Sequence, residues 1–191
     1  MFGKIVHKKT TMIQDLCNII EENNLDTYYK AFIIEASQLP PFNYLTPDAE
    51  ILGIVNSLPV EFQAMLIRFI PEKFNLASRT VIQNGNKTYK HSVSLPLVPQ
   101  DANIQNLLET YNNKEVVVFI TRHTHSVLYG TQAQPLLFNY DDLNANTLTG
   151  IKGYDLSMAG DGYGAAKLFA GSEASFPAIN RGLAFQLAGS L

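Results

Sequence analysis

The chain has 191 residues, enough for one sizeable domain or one domain with an appendage. Hydrophobic residues make up 46% and charged residues 16%, a balance that excludes a disordered chain. Lys and Arg number 14 against 17 Asp and Glu, a net charge of −3, which excludes a strongly basic nucleic-acid binder, and the single Cys17 excludes a disulfide framework or a cysteine zinc site.

The N-terminal stretch from Met1 to Met12 carries Lys4, His7, Lys8 and Lys9 without an apolar core, so no signal peptide is expected. No apolar run reaches the ~18 residues of a membrane helix. Thr11 and Gln14 form a capping box ahead of Ile13, Leu16, Cys17 and Ile20, which predicts a first helix. Asp26 caps a second, with Tyr29, Phe32, Ile33 and Ala36 on one face, ended by Pro40-Pro41. Thr46-Pro47-Asp48 opens a third, whose apolar face is Ile51, Leu52, Ile54, Val55 and Leu58. After Pro59 the pattern resumes from Glu61 to Ile70, and Pro71 stops it. Residues 1–71 are thus expected to be a helical N-terminal region.

From 72 to 170 the pattern predicts a β-rich module. Thr80–Gln83 and Thr88–Leu95 flank Asn84-Gly85-Asn86, the signature of a hairpin. Asp101–Tyr111 reads as a helix with Ile104, Leu107 and Leu108 on one face. Val116–Ile120 is a continuous apolar run of strand length, expected to be buried on both faces. Ser126–Tyr129, Pro135–Tyr140, Gly153–Ala159 and Ala166–Ala170 read as further short strands. The fold class expected is α+β: helices first, then an antiparallel sheet or small β-barrel carrying one helix. Residues 171–191 form an extended apolar C-terminal arm with a turn near Asn180-Arg181-Gly182, and Phe176, Ile179, Leu183, Phe185 and Leu187 are its candidate inter-subunit contacts.

Candidate chemistry is sparse. His123 and His125, two apart on a strand, point to one face, and with Asp141 or Asp142 they would suit a metal; two polar residues at a solvated strand end is the plainer reading. Gly160-Asp161-Gly162-Tyr163-Gly164 with Lys167 resembles a phosphate loop, but no βαβ context or Gly-Lys-Ser/Thr follows, so it reads as a strand-to-strand loop. Cys17 lies on an apolar stripe and reads as a core hydrophobe. No nucleophile, paired-carboxylate or cofactor set assembles, so no enzyme and no cofactor are expected.

Several strands carry a resemblance. Thr88–Val93, Val116–Ile120, Leu128-Tyr129-Gly130, Pro135–Tyr140 and Gly153–Gly160, with Leu107-Leu108 in a helix, follow one another closely. In this order they resemble tail- and neck-associated virion structural proteins of phages infecting Bacteroidetes, crAss-like phages included. The resemblance covers about half the chain, from Ser78 to Ala170. It implies a ring-forming subunit of a tail, neck or baseplate, assembled in the host cytoplasm into the virion. Its partners would be copies of itself and other tail or neck proteins, with a channel that DNA crosses without sequence recognition. Two readings from other classes stand beside it. One is a small metal-dependent hydrolase using His123, His125 and Asp141; the other is a host adaptor binding peptide at a sheet edge.

Overall fold

The computed structural model describes residues 29–58, 64–69, 74–97, 102–121, 126–143, 153–169 and 184–185. They form ten strands and two α-helices. The strands are β1 (Tyr29–Glu35), β2 (Met65–Phe69), β3 (Asn75–Gln83), β4 (Asn86–Leu97), β5 (Glu115–Thr121), β6 (Ser126–Tyr129), β7 (Leu136–Leu143), β8 (Gly153–Gly162), β9 (Lys167–Phe169) and β10 (Ala184–Phe185). The helices are α1 (Asp48–Asn56) and α2 (Ala102–Tyr111).

All ten strands belong to one sheet in the order β10-β2-β1-β5-β7-β8-β4-β3, with β6 and β9 branching from β5. Every pairing is antiparallel except β10 with β2. The branch arises because β7 and β6 share one side of β5: Glu115 and Val116 pair with β7 and the last four residues with β6. β5 is therefore flanked along its length, and every residue after Glu115 is buried.

Alternation along β1 and β5 sorts the interior into two clusters. Ala31, Ile33, Val116, Val118 and Ile120 face one, together with Val93 and Leu95 of β4, Phe138 of β7 and Leu156 and Met158 of β8. Residues from strands far apart in the sheet share this cluster, so the sheet curls around it. Ile104, Leu108 and Tyr111 of α2 join it at spacings of four and three, one helical face. Phe32, Ile34, Val117, Phe119 and Leu128 face the other way, against Ile51 and Val55 of α1. Asn84 and Gly85 turn the β3–β4 hairpin with φ of 52° and 79°, as a two-residue primed turn requires.

The helical N-terminal region is corrected. Tyr29, Phe32, Ile33 and Ala36 have helical spacing, yet Tyr29–Glu35 is a strand between β2 and β5. Ala31-Phe32-Ile33-Ile34 is apolar on every side, and a run buried on both faces has the same appearance as a buried helix. The expected helix at Glu61–Ile70 is, where described, the strand Met65–Phe69, with Met65 and Ile67 in the first cluster. Among the described residues of this region, the third predicted helix is present, as α1, with Pro47 at its N-cap and Asp48 and Glu50 in its first turn. The fold is thus an antiparallel sheet carrying two helices, not a helical region followed by a sheet module. The expected helix at 11–20, Cys17 and the basic cluster at Lys4–Lys9 lie outside the described residues. Among the described residues no helix is long and apolar enough to cross a membrane.

Candidate functional site

The most elaborate side-chain arrangement forms where the loop between β1 and α1 meets the end of β8. Asn43 and Thr46 fold that loop: the Leu45 N–H donates to Asn43 Oδ1 at 2.8 Å, and the Asn43 N–H donates to Thr46 Oγ1 at 3.0 Å. This turn directs Tyr44 inward and leaves Leu45 92% exposed. The Gly130 N–H donates to Tyr44 Oη at 3.1 Å. The ring lies over His91, with centroids 5.4 Å apart and 29° between planes. A Cβ at Gly162 would stand 2.9 Å from Tyr44 Cε2, and one at Gly164 would stand 2.5 Å from Tyr44 Cβ. These glycines are bare because an aromatic side chain occupies the space. The phosphate-loop likeness of this stretch thus has a packing cause: Gly160-Asp161-Gly162 ends β8, and a strand, β9, follows.

His91 sits beneath, 2% exposed. Its Nε2 lies 3.0 Å from the Gly164 carbonyl, an acceptor, so Nε2 carries the proton. Nδ1 is buried and has no hydrogen-bond partner among the described residues. Tyr129 meets the ring edge-on at 6.3 Å. Burial holds the His91 pKa below its ordinary 6.5, against the Gly164 bond and the nearby Asp161, which favour the charged form. Burial likewise pushes the Tyr44 hydroxyl up to about 12.

Further ties lock the surrounding segments. Lys167 Nζ reaches Asp48 Oδ1 at 3.0 Å and donates to the Thr46 carbonyl, joining β9 to the start of α1. The Ala166 N–H donates to Ser78 Oγ of β3 at 3.2 Å, and the Tyr163 N–H to Gln134 Oε1 at 3.0 Å. The arrangement is a clasp that holds loops in place and offers no nucleophile–base pair.

A neutral His91 in the fold makes stability depend on pH. The unfolded chain binds a proton at about 6.5 while the folded chain resists it, so stability is full above that value and falls as pH drops through it. Thermal melting followed from pH 7.5 to 5 is expected to show that acid-side loss in the wild type and a flatter profile in His91→Gln. Parallel profiles would remove His91 as the cause.

The described residues include only some of the sequence-derived candidates. His123 and His125 lie outside the described residues, while Asp141 is exposed on β7, opposite Asp155 of β8. Among the described residues no three His, Cys, Asp or Glu side chains gather as a metal site. Of the arm contacts, Phe176, Ile179, Leu183 and Leu187 lie outside the described residues. Phe185 is described as part of β10, paired in parallel with Ile67 of β2. Sequence reading missed Tyr44 and His91. One signal was present: glycines at 160, 162 and 164 alternate, leaving one strand face bare for a ring to approach. No family model, curated protein or solved structure matches the chain.

Proposed function

We propose that the chain is a structural subunit of a tailed-phage virion that forms a symmetric ring in the tail, neck or baseplate. The observation that carries this reading is the edge pairing of β10. Ala184 and Phe185, the described part of the apolar arm, add to β2 as a parallel strand. A strand added through backbone bonds at a sheet edge makes the same contacts when it comes from a neighbouring copy. The low charge content and the order of strands that resembles tail and neck proteins support the same reading. Copies of the chain and other tail or neck proteins are the partners, and DNA passes through the ring without sequence recognition.

Removal of residues 171–191 tests it. The shortened chain is expected to keep the far-ultraviolet circular dichroism of the sheet, to fall to monomer mass, and to be absent from particles. Unfolding of the shortened chain would assign the arm to its own domain core, and ring-sized mass without the arm would show that the arm does not close the ring. Either result overturns arm exchange.

A further inference from the structure

The β3–β4 hairpin projects from the sheet. β4 pairs with β8 only from Tyr89 onward, so Val81–Gln83 and Asn86–Thr88 have each other and, among the described residues, no third strand. Ile82 in this projection is 74% exposed. Around the Tyr44 clasp beside it stand Leu45 and Tyr163, the latter 81% exposed, with Leu168 on the adjoining β9. Four of the five exposed large hydrophobic side chains among the described residues thus stand on this hairpin and on the segments the clasp ties together. Grouped exposed apolar side chains on a fixed framework mark a contact surface. Lys87 shares the face of its register partner Ile82, while Arg79 and Lys90, also exposed, occupy the other face of the hairpin with Asp161 opposite Lys90. Beyond Leu45 stand Glu50 and Asp48, the latter paired with Lys167.

The other end of the same strands has the opposite sign. Asp141 and Asp142 are exposed on β7, and Asp141 pairs in register with Asp155, which pairs with Pro96 of β4. Glu109 of α2 is exposed and accepts from Tyr140 Oη at 2.5 Å. No Lys or Arg lies among the described residues of β7, of α2, or of the stretches from Gly153 to Leu156 and Leu95 to Leu97. From Lys87 to Pro96 along β4 is roughly 30 Å, so the two charge groups lie at opposite ends of the strands.

We infer that copies of the chain associate head to tail, the hairpin end of one seating on the Asp141–Asp142–Glu109 end of the next. The two surfaces are different patches of one molecule, so each copy keeps a free head and a free tail, and the contact repeats along an axis. Opposite charges set the register, and the exposed apolar side chains supply the buried area. This contact goes beyond the ring, because it uses neither the arm nor the β2 edge.

Sedimentation of the full-length chain at low ionic strength tests it. Wild-type protein is expected to associate with rising concentration, and 0.5 M NaCl is expected to weaken that association. Lys87→Glu with Lys90→Glu is expected to weaken it at least about tenfold, as is Asp141→Lys with Asp142→Lys. A chain carrying all four changes restores the complementarity and should recover association. Circular dichroism on each variant confirms the fold, since all four positions are exposed. A chain that stays monomeric at every concentration, reversals without effect, or a fourfold variant that fails to recover would each overturn the inference. The arm is intact in every variant. Loss of ring-sized species with salt-sensitive pairs retained therefore counts against the ring and not against this contact.

Discussion

Val118→Asp is expected to abolish folding of the chain. Val118 is fully buried on β5, facing Ile33 of β1 and Tyr129 of β6 in register. Its side chain belongs to the cluster around which the sheet curls. A carboxylate there has no described cation to pair with in that cluster, and burying it unpaired, or forcing it to protonate, costs several kcal/mol. Stabilities of ordinary domains are about 5–15 kcal/mol, so the loss is a large fraction of the total. Expression as insoluble protein, or loss of the cooperative melt, is the expected result. Wild-type melting would mean that β5 is not the centre of the sheet.

Gly160→Ala is expected to destabilise the fold by about 1–3 kcal/mol through overpacking. A Cβ at Gly160 would stand 2.6 Å from the Pro135 carbonyl oxygen and 3.2 Å from Leu136 Cα, both backbone atoms that move only with their strand. Here β8 passes close under the start of β7, and the absent side chain is what permits the approach. Gly53→Ala is the control. Nothing lies within 4 Å of a Cβ at that position inside α1, and an exposed helical Gly→Ala change is worth up to about 1 kcal/mol of added stability. Chemical denaturation of both variants should move their midpoints in opposite directions. Equal shifts of one sign would show that glycine content, and not the Pro135 contact, sets the effect.

The clasp was only partly legible in the residues. Alternate glycines on β8 announce a close approach, but nothing local to them names Tyr44, which lies more than a hundred residues earlier, or His91 on another strand. A buried histidine also gives no sign of itself in a strand that otherwise alternates Ser92, Val93, Ser94 and Leu95. The paired candidates His123 and His125 illustrate the converse. Their spacing is a pattern, but a metal site needs a third donor brought near by the fold. Both histidines lie outside the described residues, and of that set the structure places only the aspartates, with Asp141 exposed opposite Asp155.

What the residues determined alone were the elements whose signals are complete within a few positions. Asn84-Gly85 takes the left-handed backbone that a tight hairpin demands, Val116–Ile120 is apolar throughout and becomes the strand buried on both faces, and Ile104, Leu107 and Leu108 commit α2 to one face. Only the tertiary structure decided that Tyr29–Glu35 and Met65–Phe69 are strands. A short apolar run satisfies a helix or a strand equally well until its backbone groups find partners. Here β1 finds its partners in β2 and in β5, which starts eighty residues after the end of β1, and β2 finds its own in β1 and β10. The pairing of distant strands thus overrode a helical spacing that is genuine but local, because the curled sheet buries both faces of β1 where a lone helix would bury one.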